Sequence, residues 1–158
     1  MALDDEIALL ARVPFFAGFE TEHLRLLAFG AEKRRLSAGS FVFREGDLAD
    51  GAYVVRQGEI ITLKPGVHSG DEGPDAVERF YWPGSMLEPM TLVSLSKRAQ
   101  AAKCTEDCEV LRISRALFVR MLAEYPDLAV MLRDRVAWEL AGFVGKLDGV
   151  LEQFERAD

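Results

Sequence analysis

The chain has 158 residues, 49% hydrophobic and 28% charged, with Gly 13 and Pro 6. This globular composition excludes a disordered or collagen-like chain, and the length suits one domain with a sizeable core rather than two ordinary ones. Lys and Arg total 19 against 26 Asp and Glu, and a formal charge of −7 repels phosphate backbones, so no direct nucleic-acid partner is expected.

Asp4, Asp5 and Glu6 stand where a secretory signal would need a basic start, and no run of about 18 apolar residues occurs. A cytoplasmic chain with no membrane span is expected. Cys104 and Cys108 are the only cysteines, too few for a disulfide framework, a four-cysteine zinc site or an iron–sulfur cluster, and are read as reduced thiols.

Ile7, Leu10 and Ala11 fall at helical spacing, and after Pro14 a second short helix is expected from Thr21 as N-cap through Leu24, Leu27 and Ala28 to Gly30. From about residue 32 the texture changes to short β-type runs: Phe41–Phe43, Ala52–Val55, Glu59–Leu63, Glu78–Trp82, Ala99–Lys103 and Glu109–Ile113. Turn residues punctuate them at Ser37–Ser40, Gly46-Asp47 through Asp50-Gly51, and Gln57-Gly58. Gly46 and Gly58 suit positive φ, and Asp47 and Asp50 suit turns closed by side-chain-to-backbone bonds. The polar stretch from Pro65 to Asp75 is expected to be a mobile hairpin loop. The pattern predicts a mainly β chain with flanking helices, an antiparallel sandwich or jelly roll.

Helical period returns at Ser114, first with Leu117, Phe118, Met121 and Leu122, then in a long helix that Pro126 and Asp127 start well. Ala137, Leu140, Val144, Leu147, Leu151 and Phe154 repeat in a 3-4 rhythm, the seam of a two-stranded coiled coil, which predicts a homodimer through this helix. The plain alternative is an apolar face folded back onto the chain's own β-domain. The expected organisation is residues 1–125 as the β-domain with its helical entry and 126–158 as a C-terminal dimerisation helix.

This order of elements resembles the cyclic-nucleotide-binding domain of regulators of the catabolite-activator and FNR superfamily. Phe41-Val42-Phe43-Arg44-Glu45-Gly46-Asp47 with Ala49-Asp50, then Tyr53-Val54-Val55 and Gly58-Glu59-Ile60, is similar to the family's strand–turn–strand signature. Pro14-Phe15-Phe16-Ala17-Gly18-Phe19 and Cys108-Glu109-Val110-Leu111-Arg112-Ile113-Ser114 resemble its usual text as well. The resemblance implies a jelly roll with a phosphate-binding cassette. In it, backbone N–H groups and one arginine hold the cyclic phosphate, and one glutamate takes the ribose hydroxyl.

That cassette falls within Gly84–Leu92 and ends at Lys97-Arg98-Ala99-Gln100. Counting back from Cys108-Glu109-Val110 matches Arg98 to the phosphate arginine and Glu88 to the ribose glutamate, leaving Leu87 where the family has a glycine. Counting forward from Gly84 puts Glu88 on that glycine and Pro89 on the glutamate. Either way Pro89 removes an N–H donor from the anion nest. The positions that cover the purine in the catabolite activator fall near Phe143 and Val144, which offer no hydroxyl. The resemblance thus implies Leu87, Glu88, Arg98, Ala99, Gln100, Phe143 and Val144 as ligand-binding positions in an altered pocket.

No nucleophile–base pair, metal-ligand spacing or phosphate-binding Gly-rich loop appears, and neither a metal nor a resident cofactor is expected. His23 and His68, the two histidines, are read as solvated rather than as haem ligands. Cys104 and Cys108 flank a tight hairpin. The reading is a non-enzymatic regulatory sensor module in signal transduction, working as a homodimer with a small anionic or nucleotide ligand and a protein partner. The alternatives are a genuine cAMP or cGMP receptor, a ligand-free dimerisation scaffold, or the sensor half of a truncated transcription regulator, since the sequence stops at Asp158 before a helix-turn-helix.

Overall fold

A computed structural model describes residues 2–67 and 73–136. The chain divides into two compact units, Met1–Met121 and Leu122–Asp158. The first opens with helix α1 (Ala2–Ala11), whose Asp4 and Asp5 complement the positive end of the helix dipole, and α2 (Thr21–Gly30). Thr21 is the first helical residue of α2 rather than its cap. Glu20 caps instead, and its N–H donates to His23 Nδ1 at 3.0 Å. This contact draws His23 inside, 7% exposed, against the expectation of a solvated histidine.

Ten strands follow among the described residues: β1 (Glu32–Leu36), β2 (Phe41–Phe43), β3 (Leu48–Ala49), β4 (Gly51–Gln57), β5 (Ile60–Leu63), β6 (Val77–Tyr81), β7 (Met86–Leu87), β8 (Ser96–Lys97), β9 (Ala102–Cys104) and β10 (Cys108–Ser114). Helix α3 (Arg115–Glu124) comes next, where the sequence predicted a short helix. All six predicted runs contain strand, although the Ala99–Lys103 run is strand only from Ala102. Between β5 and β6, the expected loop contains one turn of 3-10 helix, Pro74–Ala76.

The strands form two four-stranded antiparallel sheets, ordered β1-β10-β4-β7 and β2-β9-β5-β6, with β3 and β8 as a separate ribbon. Alternate side chains of a strand face opposite ways, so each sheet contributes one face to a shared core. Tyr53, Val55, Leu87, Cys108 and Val110 come from the first sheet, and Phe43, Ile60, Ala102 and Cys104 from the second. The first sheet's other face carries Ala52, Val54, Leu111 and Ile113, which are also buried. Glu6 of α1 reaches Lys33 on β1 at 3.0 Å and Arg56 on β4 at 3.9 Å, which ties that helix to this sheet. The Phe15, Phe16 and Phe19 rings pack near Phe118 of α3, with Phe19 stacked on it at 6.3 Å between centroids.

Cys104 and Cys108 are buried free thiols. Burial first, then the hydrogen bond and charge of Cys108, push the Cys104 thiol up to about 12, so it stays protonated and inert at neutral pH. In the second unit residues 126–136 are helical, in keeping with the start at Pro126 and Asp127. The seam positions Ala137, Leu140, Val144, Leu147, Leu151 and Phe154, like Phe143 and His68, lie outside the described residues.

Candidate ligand site

Arg98 follows the β3–β8 ribbon, which fixes its backbone from both sides. Its N–H donates to Asp47 O at 2.7 Å, and Gly46 N–H donates to its carbonyl at 2.8 Å. Gly46 can serve because it sits at φ +87°, as its place in the sequence predicted, and Asp47 closes the same turn by accepting from Arg44 N–H at 2.9 Å. Held this way, the Arg98 side chain turns inward and is only 3% exposed. It is not a surface cation beside Lys97.

Inside, the Arg98 guanidinium lies 4.2 Å from the Phe43 ring centroid and 5.7 Å from that of Tyr53. One terminal nitrogen donates to Gly51 O at 2.7 Å and the other to Glu88 Oε2 at 2.8 Å. Its Nε is buried with no hydrogen-bond partner. Of the outcomes open to a buried cation, pairing with an internal carboxylate is the one adopted.

Glu88 joins β7 to one turn of 3-10 helix, Pro89–Leu92. Its φ of 50° and ψ of 61° place it in the left-handed region, and it is the one non-glycine with positive φ among the described residues. The two sequence counts meet here. Glu88 has a backbone conformation that favours glycine, and the forward count sets it against the family's glycine. Its carboxylate reaches Arg98, the residue that the backward count matches to the phosphate arginine. Leu87 precedes the kink, pairs with Tyr53 across β4 and β7, and is fully buried in the inter-sheet core.

Gly51 and Thr91 complete the junction, and neither was singled out as a site residue from sequence. The Thr91 hydroxyl lies 2.8 Å from both Gly51 O and Glu88 O, so one carbonyl of β4 is shared between Arg98 and the cassette turn. Ala99 is exposed and Gln100 half-buried. Of three surface clefts among the described residues, of about 430, 320 and 430 Å³, the first is lined in part by Gly84, Ser85, Met86 and Pro89 of the cassette and the third in part by Gly46, but neither Arg98 nor Glu88 lines any of them.

Asp50, expected to close a turn, instead accepts from Arg112 at 2.8 Å. Burial pushes its carboxyl up, but the Arg112 hydrogen bond and charge, with a contribution from Arg98, outweigh this and hold it below the usual range. A lowered folded-state pKa stabilises the fold above the unfolded value of about 3.9 and is lost as pH falls through the folded one. Asp50 is 56% exposed, so Asp50→Asn should cost only about 0.2–1 kcal/mol at pH 7. In urea unfolding the gap between variant and wild type should close as the pH is taken below 4, as pH falls through the folded-state pKa.

The chain is thus an antiparallel β-sandwich with a buried arginine set against a carboxylate in a short cassette. Residues 33–125 match the family model described as the cyclic nucleotide-binding domain, and the chain belongs to that family. It is 39% identical to a cyclic nucleotide-binding-like protein from Brucella abortus, with a TM-score of 0.64 over 76% of this chain and 99% of that one. The N-terminal domain of a transcriptional regulator from Streptomyces coelicolor shares the fold at 22% identity, with a TM-score of 0.76 over 88% of this chain and 94% of that one. The cyclic AMP receptor protein of Thermus thermophilus is 26% identical over 127 residues, 78% of this chain and 57% of that protein. The chain spans between 7% and 57% of the length of these curated relatives, the smallest share being of a lysophospholipase from Aspergillus niger. No helix among the described residues is long and apolar enough to cross a membrane.

Proposed function

We propose that this chain is a non-enzymatic sensor module whose cassette takes a small anion on Arg98, with a pocket altered so that cyclic nucleotides bind weakly. It acts as a homodimer through the helix beginning at residue 126, and ligand in the cassette rebalances the pose of that helix for a protein partner. The observation that supports this is the buried Arg98 guanidinium, already paired with Glu88 at 2.8 Å. A surface arginine would not be folded inward on aromatic rings, and the Glu88 carboxylate takes a donor that an anion would use. Pro89 weakens the nest further by lacking an N–H.

A second reading, a genuine cAMP or cGMP receptor, is favoured by the inward position of Arg98 and by the likeness to a cyclic AMP receptor protein. Likeness to the N-terminal domain of a transcriptional regulator favours the sensor half of a longer protein. A thermal-shift panel of cyclic nucleotides and inorganic phosphate, with Arg98→Ala as control, tests the anion pocket. A shift that needs Arg98 is expected, and no shift with any anion favours the ligand-free scaffold. Light scattering tests the dimer: a monomeric mass, unchanged by Leu147→Asp, would show that the 3-4 stripe does not join two copies.

A further inference from the structure

We infer that Glu88 is a resident anion in the ligand's place, and that this one side chain decides whether the cassette admits a cyclic phosphate. The inference rests on the anion-pocket reading and deepens it. Five observations converge on Glu88. Arg98 is held inward, with its backbone hydrogen-bonded to Asp47 and Gly46 and one guanidinium nitrogen donating to Gly51 O. The other terminal nitrogen is the donor a ligand would use, and Glu88 Oε2 occupies it.

The Glu88 side chain is 25% exposed where that of Arg98 is 2% exposed, so the carboxylate forms the outer, displaceable half of the pair. Its backbone sits at φ 50°, which a glycine adopts without strain and an L side chain rarely does, so the carboxylate is held at a conformational cost. The arginine also keeps a buried Nε–H that Glu88 leaves unserved, so the carboxylate does not use all the donors of the guanidinium.

An intramolecular carboxylate competes at high effective concentration, so the apparent affinity of any anion falls by the fraction of molecules in which Glu88 has left Arg98. Removing the carboxylate lifts that penalty without touching the arginine. Glu88→Gly also relieves the left-handed backbone, while Glu88→Gln keeps the side-chain volume and serves if the glycine variant folds poorly.

Wild type, Glu88→Gly, Glu88→Gln, Arg98→Gln and the double variant Glu88→Gly/Arg98→Gln are titrated as full chains with cAMP, cGMP and inorganic phosphate. Both Glu88 variants should bind at least one cyclic nucleotide tenfold or more tightly than wild type, and the double variant should lose the gain. Glu88 variants that bind no more tightly than wild type, or a gain that survives loss of Arg98, overturn the inference. If the Glu88 variants gain nothing while Arg98→Gln abolishes a wild-type response, the role of Glu88 falls and the anion pocket stands. If none of the three anions binds any of the proteins, the anion pocket falls with it.

Discussion

Arg98→Ala is expected to destabilise the fold by about 2–4 kcal/mol, measured by urea unfolding at pH 7. Arg98 is 3% exposed, and its removal empties space beside Phe43 and Tyr53 in the inter-sheet core. Glu88 is left without its partner, but at a quarter exposure it can rehydrate, and Gly51 O keeps the Thr91 hydroxyl at 2.8 Å. The cost therefore falls below that of stranding a fully buried charge. Arg98→Met, which refills the volume without the charge, should recover part of the loss. A change within about 0.5 kcal/mol for Arg98→Ala would mean that the side chain lies at the surface.

Gly51→Ala should cost about 2–3 kcal/mol or more and also blunt any ligand response. A Cβ at residue 51 would stand 2.7 Å from Ile113 O and 3.3 Å from Ser114 Cα, both backbone atoms of β10 that cannot swing aside. Strands β4 and β10 must part to make room. The carbonyl that moves with Gly51 is the acceptor shared by Arg98 and Thr91, so the strand shift reaches the site directly. Gly73→Ala, where a Cβ meets nothing within 4 Å, is the matched control and should be near neutral. Equal unfolding midpoints for the two alanine variants would show that β4 tolerates the side chain.

Much of the fold is legible in the sequence because apolar runs and turn glycines alternate at short intervals. Gly46 and Gly58 adopt the positive φ expected of them. Strand β1 was not legible: Glu32-Lys33-Arg34-Arg35-Leu36 is nearly all charged, as suits a sheet edge, and ion pairs of Lys33 with Glu6 and of Glu32 with Arg112 tie it down. The two-residue strands β3, β7 and β8 are too short to carry a period.

At the site, Arg98 and Glu88 could be named only through the resemblance, since ten residues separate them and no local pattern links them. The register between Leu87 and Glu88 could not be read, because a left-handed glutamate is conformationally unexpected and nothing in its neighbours announces it. Gly51 escaped as a site residue because it acts through a backbone carbonyl, which every residue type carries.

Calorimetric titration of the wild-type chain with cAMP and cGMP tests most directly whether the cassette is occupied by its own glutamate. Dissociation constants weaker than about 10 μM are expected for both, less than roughly 7 kcal/mol of binding. A constant tighter than about 10 μM for either nucleotide would show that Glu88 does not keep the cassette closed to them.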